Sequence, residues 1–336
     1  IGFREGYIYN NNMYTLAGLA IEAVSGKSWE ENVQQRIFKP LEMNSSGFTG
    51  VGARPENHSL SYFEAEGTGK LTARTFLAQS ELLAPAGNIY SSMADMSKWL
   101  IMQVNGGKYK GKQVIAASAI EETKIPNAIS DKRGRYDELS NGIYAMGRIL
   151  QTYKGTKLIS HTGSIDGFYS NLSYLPKDSI ALFIVHNSVS AGSLRSVMNL
   201  PLIDILQNRE ITDWSARYRK DHLEAQERNK KTVDEINASQ VKNTLPSHQA
   251  LAYTGRFSHP VYGEILIGLK DNDLQLQYRS LNATLHHWHY DQFITMDDEK
   301  GFPDMRISFL TNDKGEIDRI STRPFGDPLT EFVRVN

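Results

Sequence analysis

Short runs of alternating apolar and polar residues, separated by turns, fill the chain from Leu251 to its end. The clearest runs are Gly255–Phe257, Val261–Gly263, Ile265–Ile267, Leu274–Tyr278 and Ile307–Phe309. This spacing is typical of small antiparallel β-barrels, and the bulky Leu, Ile, Phe, Tyr and Trp side chains indicate an interior filled by side chains. We therefore predict a barrel domain over residues 247–336.

A highly charged segment precedes the barrel. Acidic and basic residues alternate through residues 208–246, a pattern that favours a solvated helix and argues against nucleic-acid binding. We assign residues 211–246 to a helical linker and residues 1–210 to a first domain. The predicted fold class is α+β: an antiparallel sheet with flanking helices plus a helical region, followed by a small antiparallel β-barrel.

Helical and strand patterns both occur in the first domain. We predict helices over residues 14–26, 93–104 and 193–207, and a further helix that begins at Ser28 and ends before Pro40. Ser28 and Glu31 have the spacing of a capping box. Short β-rich runs at residues 143–150, 158–161, 167–174 and 180–186 predict an antiparallel meander. Residues 44–80 are loop-rich, and lining a cleft and filling space are equally good interpretations of them.

The composition excludes several classes of function. Of the 336 residues, 40% are hydrophobic and 22% charged, which is ordinary for a globular protein, and the net charge of −1 gives no reason to expect nucleic acid or an anionic membrane as partner. The chain has no cysteine, so disulfides, thiolate metal sites and cysteine nucleophiles are excluded. No apolar run reaches the ~20 residues of a membrane span. The chain starts at Ile1, and we expect a fragment or a processed form.

The stretch from Tyr9 to Tyr14 places two phenols and three amides ahead of an apolar helical pattern, which consists of Leu16, Leu19, Ala20, Ala23 and Val24. One interpretation is a helix N-cap, with Asn11 or Asn12 accepting backbone N–H bonds. The other is a functional site, in which polar groups lie at the mouth of a helix whose opposite face is buried.

Several motifs together resemble one family. These are Tyr9-Asn10-Asn11, Leu16-Ala17-Gly18, Val24-Ser25-Gly26-Lys27-Ser28-Trp29, residues 37–43, the Pro-Ala-Gly-Asn segment at 85–88, and His161-Thr162-Gly163. The family is that of the serine β-lactamase-like hydrolases of class C type, which include penicillin-binding proteins, DD-peptidases and esterases. Residues 287–293 resemble a run in the lipocalin-like β-domain that is often attached to these hydrolases.

The resemblance implies three catalytic residues. Tyr9 matches the tyrosine of the family's Tyr-x-Asn element and is expected to act as base or proton relay. Asn11 matches the amide that orients a lysine and the substrate carbonyl. His161 stands where the lysine of Lys-Thr-Gly is usually found, beside the substrate carboxylate or leaving group.

Four further residues are implied as substrate-binding. Thr162 and Gly163 follow His161 on a predicted strand, and Gly163 would let the substrate backbone lie against the strand edge. Ser164 would offer its backbone N–H to an oxyanion hole. Gly87 fits a place where the backbone approaches a catalytic side chain closely.

The family also requires a Ser-x-x-Lys nucleophile upstream of Tyr-x-Asn, and only eight residues precede Tyr9. The sequence contains Ser-x-x-Lys at Ser239–Lys242, but this lies downstream in the charged linker, and we set it aside. The resemblance therefore implies a serine hydrolase that forms an acyl-enzyme with an ester, amide or D-amino-acid peptide, with its nucleophile upstream of this chain. It implies no cofactor, a small-molecule or peptide substrate, the preceding segment as a candidate partner, and a periplasmic or secreted location. We expect the 336 residues alone to be inactive.

Three alternatives remain. A non-catalytic relative would bind cell-wall peptide or a partner protein through the same cleft. A ligand-carrying role for the β-domain would need a hollow barrel, which the bulky side chains argue against. A metal site at His287, His289 and Asp291 is chemically reasonable, since alternate strand residues share a face, but we give it little weight.

Overall fold

The computed structural model describes residues 6–48, 57–64, 70–73, 84–130, 136–165, 167–188, 194–279, 281–295, 305–323 and 329–335. The chain forms two compact units, Ile1–His222 and Leu223–Asn336. The boundary between them falls inside a long charged helix, within the segment that we assign to the linker.

The helices of the first unit include three long ones. In chain order they are α1 (Asn11–Ser25), α2 (Trp29–Val33) with a π-helical continuation (Gln34–Phe38), α3 (Ala84–Gly87), α4 (Met93–Val104), α5 (Ala117–Glu122) and α6 (Leu194–Leu206). The predicted helix at residues 93–104 coincides with α4, and the predicted helix at residues 193–207 coincides with α6 within one residue at each end. The prediction for residues 14–26 starts three residues too late, because the polar residues Asn11 and Asn12 are already helical.

Helix α1 begins and ends at residues of the expected chemical types. The side chain of Asn10, and not that of Asn11 or Asn12, accepts the N–H of Asn12 at the N-cap. Gly26 ends the helix in the left-handed conformation (φ +66°), which glycine adopts without strain. The predicted burial of the apolar face is wrong for this chain: Gly18 is the one residue of α1 that is buried.

The capping box at the start of α2 is present as predicted. The Ser28 hydroxyl accepts the Glu31 N–H at 3.1 Å, and the Glu31 carboxylate accepts the Ser28 N–H at 3.0 Å. The helix then widens into the π-helical turn instead of continuing regularly to Pro40. Val33 and Phe38 are buried and form part of the apolar face of this helical segment.

Among the described residues, the strands of the first unit form one large, six-stranded sheet and three two-stranded pairs. Their bounds are β1 (Gly47–Phe48), β2 (Tyr62–Glu64), β3 (Leu71–Ala73), β4 (Ile89–Tyr90), β5 (Lys108–Tyr109), β6 (Lys112–Gln113), β7 (Ala128–Ile129), β8 (Ile143–Tyr144), β9 (Ile149–Tyr153), β10 (Thr156–Ile165), β11 (Phe168–Leu175) and β12 (Ile180–His186). The pairs are β1-β4, β2-β3 and β5-β6. The large sheet has the order β12-β11-β10-β9-β8-β7 and is antiparallel throughout. The predicted meander is confirmed, with β8 and β9 in place of a single strand at 143–150.

Two clusters of buried apolar side chains hold the helices of this unit in place. One cluster joins α2, α4 and α5 and consists of Trp29, Val33, Phe38, Leu41, Met43, Ala84, Met102 and Ile120. Another lies between the sheet and α6 and consists of Tyr153, Leu158, Leu175, Leu200, Ile203 and Trp214. Within the second cluster the buried Asp204 accepts hydrogen bonds from the Tyr153 hydroxyl at 2.7 Å and the Lys154 ammonium at 2.9 Å. Trp214 Nε1 in turn donates to the Tyr153 hydroxyl at 3.0 Å, so this polar network is enclosed by apolar side chains.

The second unit is a closed antiparallel barrel. Helix α7 (Trp214–Ala238) leads into it, a short helix α8 (Ala250–Tyr253) precedes the first strand, and the strands follow in order around the barrel. They are β13 (Gly255–His259), β14 (Gly263–Lys270), β15 (Asp273–Tyr278), β16 (Leu281–His289), β17 (Gln292–Thr295), β18 (Arg306–Thr311), β19 (Ile317–Thr322) and β20 (Thr330–Val335). Because β13 pairs with both β14 and β20, the barrel has no free long edge.

The barrel interior is filled by side chains, as predicted. Inward-facing residues of successive strands, among them Phe257, Ile267, Leu276, Ile307 and Phe332, are at most 1% exposed and form one apolar cluster. Along β15 the buried residues Leu274, Leu276 and Tyr278 alternate with more exposed ones, which is the period-two pattern of the sequence. Among the described residues, no helix is long and apolar enough to cross a membrane.

Candidate functional site

The predicted site residues on β10 lie where that strand loses one of its neighbours. β10 pairs with β9 over Thr156–Ser160 and with β11 over Ile159–Ile165. Among the described strands, residues 161–165 therefore pair on one side alone, and their other edge is open to an extended ligand. His161, Thr162, Gly163 and Ser164 all belong to this open stretch.

Tyr9 and His161 lie side by side, although they are far apart in sequence. Their ring centroids are 6.2 Å apart with an interplanar angle of 31°. Tyr9 directly precedes the Asn10 cap of α1 and is 54% exposed. Asn11 is the first residue of the helix, and its side chain is exposed to solvent on the same turn. The structure thus brings the start of α1 to the open edge of β10.

A third aromatic residue, Tyr144, completes this cluster and was missed by the sequence analysis. Its hydroxyl lies 3.2 Å from His161 Nε2, and its ring centroid is 4.9 Å from that of Tyr7 and 6.3 Å from that of Tyr9. Burial, a hydrogen bond with Tyr14 and the neighbouring phenols raise the pKa of Tyr144 well above its usual range, so the hydroxyl keeps its proton. Nothing in the sequence distinguishes Tyr144, a tyrosine on a two-residue strand, from a core residue.

The phenol of Tyr14 lies beside Gly147, which has no side chain to displace it. Gly147 has a φ of +65°, and a side-chain carbon added at this residue would lie 3.2 Å from the Tyr14 hydroxyl. That contact is tighter than ordinary van der Waals separation, so a larger residue at position 147 would push Tyr14 away. The turn between β8 and β9 therefore leaves room for the phenol cluster.

His161 is held neutral by its surroundings. Burial lowers its pKa below the usual value for histidine, and the hydrogen bond with the Thr162 carbonyl offsets part of that shift. The ring Nδ1 lies 2.7 Å from that carbonyl oxygen. At neutral pH the side chain is therefore an uncharged imidazole, in contrast to the lysine of Lys-Thr-Gly.

The remaining predicted residues fall on or next to the same strand. Gly163 pairs with Ser170, and a side-chain carbon at Gly163 would lie 2.6 Å from the Ser170 hydroxyl, so a larger residue there would force that hydroxyl to turn away. The Gly163 carbonyl accepts a hydrogen bond from Arg195 Nη1 at 2.5 Å. Thr162 and Ser164 are exposed along the open stretch of β10.

Gly87 is near the strand end but does not make the close approach that the sequence analysis expected. It ends α3, and the nearest atom to a side-chain carbon added there is Ile165 Cδ1 at 4.0 Å, an ordinary van der Waals distance. A close contact of a different kind, between two helices, occurs at Gly18. A side-chain carbon at Gly18 would lie 2.4 Å from Pro85 Cγ, so Gly18 lets α1 pack directly on α3.

The two barrel histidines of the metal hypothesis, His287 and His289, make structural hydrogen bonds. His289 Nδ1 accepts the Val241 N–H at 3.0 Å, and His287 Nε2 donates to the Tyr290 carbonyl at 2.8 Å. A bulge between residues 287 and 289 interrupts the row that the metal hypothesis needed. Asp291 accepts the Ser247 N–H and hydroxyl at 2.8 and 2.7 Å. Within the described part of the chain, no three His, Asp or Glu residues are grouped as metal ligands.

The arrangement suits proton transfer and hydrogen bonding at an open strand edge. An exposed phenol, a neutral imidazole and a protonated phenol lie together beside a strand that a substrate can join by backbone hydrogen bonds. Acyl transfer would further need a nucleophile. In the described residues, neither Tyr9 nor His161 hydrogen-bonds a serine or lysine side chain.

Known proteins resemble both units. The family model described as Beta-lactamase matches residues 3–205, and a domain of unknown function (DUF3471) matches residues 239–333. The Unguisins hydrolase ungD' of Aspergillus campestris is 23% identical over 297 residues, which are 82% of this chain and 51% of that protein. Protein flp of Staphylococcus aureus is 24% identical over 184 residues, 54% of this chain and 34% of that protein. The chain thus spans about half the length of the first relative and a third of the second.

Two solved structures share the fold. The octameric penicillin-binding protein homologue from Pyrococcus abyssi superposes with a TM-score of 0.54 at 19% identity, over 98% of this chain and 65% of that one. SurE superposes with a TM-score of 0.51 at 18% identity, over 98% of this chain and 68% of that one. The family match covers the unit that holds Tyr9, Tyr144 and His161. By this match, the chain belongs to the β-lactamase family.

Proposed function

We propose that the protein is a serine hydrolase that acts through an acyl-enzyme on an ester, amide or D-amino-acid peptide. The observation that carries the proposal is the 6.2 Å approach of the Tyr9 and His161 rings at the open edge of β10. Membership of the β-lactamase family and a relative that is named a hydrolase support the same reaction class. We also propose an extracytoplasmic location, by the resemblance alone.

The proposed reaction has two steps. A serine hydroxyl attacks the substrate carbonyl carbon, its proton passes to Tyr9 or through it, and the leaving oxygen or nitrogen departs with a proton. Water then attacks the acyl ester, and the serine regains its hydrogen. Asn11 would orient the reacting groups, and the backbone of residues 163–164 would hold the substrate along β10.

The serine, in this proposal, comes from a segment with Ser-x-x-Lys that the 336 residues do not contain. The exposed apolar face of α1 supports this. Met13 and Leu16 are 55% and 54% exposed, and Val24 is 90% exposed, although the spacing of these residues is that of a helix face made for burial. A segment that packs on this face would lie next to Tyr9 and Asn11, because both are at the start of α1.

Covalent labelling tests this proposal. We expect a fluorescent penicillin and p-nitrophenyl esters to give no acyl adduct with the 336-residue chain, measured by intact mass. The same chain, extended by the residues that its gene encodes ahead of Ile1, should gain the mass of one acyl group. In the extended protein, Tyr9→Phe should lower the acylation rate roughly 10²- to 10⁴-fold.

A matched control is Tyr290→Phe, which removes the hydroxyl of a tyrosine that is 55% exposed on the barrel unit and should leave the rate unchanged. An acyl adduct on the unextended chain would contradict the prediction that the nucleophilic serine lies outside these 336 residues. An extended protein that folds but never acylates would favour the second candidate function, a non-catalytic module that binds a peptide along β10. The absence of a serine or lysine partner for Tyr9 among the described residues is the observation that keeps this candidate open.

A further inference from the structure

The hydrogen bonds of His161 determine which of its nitrogens carries the proton. Nδ1 lies 2.7 Å from the Thr162 carbonyl oxygen, and a carbonyl can only accept, so Nδ1 must be the N–H. A neutral imidazole has one N–H, which leaves Nε2 with a lone pair. The group 3.2 Å from Nε2 is the Tyr144 hydroxyl, which must then be the donor.

Tyr144 is well placed to keep that role. Its ring is flanked by those of Tyr7 and Tyr9, the Tyr14 phenol lies beside it, and its hydroxyl is 3.2 Å from His161 Nε2. The single Tyr144 proton therefore goes to His161 Nε2, and His161 Nδ1–H goes to the Thr162 carbonyl. The result is a directed chain of hydrogen bonds from Tyr144 through His161 to the backbone of Thr162.

We propose that Tyr144 is a positioning residue that holds His161 as the neutral Nδ1–H tautomer and fixes its ring at the open edge of β10. The effect of Tyr144 on catalysis rests on the proposed hydrolase function. The assignment of the His161 tautomer rests on the hydrogen bonds alone. Both nitrogens of His161 are then committed, so His161 presents no free N–H to a substrate. A substrate group that approaches this corner instead meets an uncharged imidazole whose Nε2 is covered by a phenol.

Nuclear magnetic resonance of the full chain, labelled with ¹⁵N and ¹³C at histidine, tests this without any need for activity. His161→Gln identifies the signals of this ring by their loss. In the wild type we expect the two-bond ¹H–¹⁵N pattern of a neutral ring protonated at Nδ1 at pH 7. In Tyr144→Phe the donor to Nε2 is gone, so a fraction of the Nε2–H tautomer should appear. Because the bond to the lone pair favours the neutral ring, its loss should raise the proton affinity of His161 roughly 2- to 10-fold.

Two further variants separate positioning from general damage to the fold. Tyr169→Phe alters another tyrosine that stacks on a histidine of the same sheet, His186, at 5.1 Å, and should leave the His161 signals unchanged. Tyr14→Phe removes a partner of Tyr144 but not the donor to His161, so the Nδ1–H tautomer should persist.

A wild-type ring that is charged or protonated at Nε2 at pH 7 would overturn the proposal, and so would an unchanged His161 pattern in a folded Tyr144→Phe protein. In the extended, acylating protein, Tyr144→Phe should lower kcat and shift its pH profile, whereas a purely structural residue would lower the folded fraction alone. A correct tautomer in a protein that never acylates would disprove the hydrolase function and leave the assignment of Tyr144 to His161 intact.

Discussion

The exposed face of α1 leads to a quantitative prediction about stability. Full burial of a leucine side chain contributes about 1.5–3 kcal/mol to folding. Leu16 is 54% exposed, so roughly half of that contribution, about 1 kcal/mol, is at stake in the chain as it stands. Leu41 is 0% exposed in the cluster beneath α2, and truncation of such a leucine to alanine costs about 2–5 kcal/mol.

We therefore expect Leu16→Ala to lower the free energy of unfolding by at most about 1 kcal/mol, and Leu41→Ala by at least twice as much. Urea unfolding followed by tryptophan fluorescence measures both, because Trp29 packs in the same cluster as Leu41. In the protein extended with the nucleophile segment, Leu16→Ala should become as costly as Leu41→Ala. Equal losses of unfolding free energy for Leu16→Ala and Leu41→Ala in the unextended chain would refute the reasoning. If the loss for Leu16→Ala depended on protein concentration, the surface that packs on the apolar face of α1 would belong to a second copy of the chain.

Three further predictions concern the first unit. Ser28→Ala should lower stability by about 1 kcal/mol in urea unfolding, because it removes one half of the capping box, while Ser28→Gly should cost only a few tenths. Tyr153→Phe removes a donor to buried Asp204 and leaves the Trp214 N–H without its acceptor, so a loss of about 2–4 kcal/mol is expected; a loss under 1 would contradict the network. Burial holds the folded-state pKa of His161 below the unfolded value of about 6.5, so the unfolded state takes up the proton first as pH falls. Stability is then lost between that value and the lower folded pKa, and His161→Gln should show a smaller loss between pH 8 and pH 5 in urea midpoints.

The elements that sequence analysis predicted well are those set by local chemistry. The capping box at Ser28 and the stop at Gly26 depend on groups within a few residues, and the sequence contains those groups directly. The barrel was predicted because short runs of alternating residues recur at turn-like spacings, and such alternation is present in β15, β17 and β18. Each of these features can be predicted without knowing which residues pack against it in the folded protein.

The errors concern what lies across space from a residue. Amphipathic spacing in α1 shows that one face is made for burial, but it does not show whether the covering surface belongs to the same chain. Tyr144 was missed because its role comes from His161, 17 residues away on another strand, and from Tyr14 on a helix. Gly87 was expected to lie close to a catalytic side chain, but the tight contact among the described glycines of this region is the helix packing of Gly18 on Pro85. A sequence identifies a glycine but not the residues that lie near it in space.

The two sides of the site differ in how firmly the chain holds them, and this difference bears on function. His161 lies in the part of β10, Ile159–Ile165, that pairs with β11, and both of its ring nitrogens are hydrogen-bonded. Tyr9 is 54% exposed and lies ahead of α1, a helix that packs on α3 at Gly18. The side-chain hydrogen bonds of α1 to α2 lie at its far end, where Glu22 accepts the Trp29 N–H at 2.9 Å and Ser25 accepts from Asn32 at 2.7 Å. Catalysis needs both sides fixed within about 0.5 Å. A segment that covered the apolar face of α1 would supply a nucleophile and immobilise Tyr9 in the same binding event, so the reaction would begin only once the site is complete.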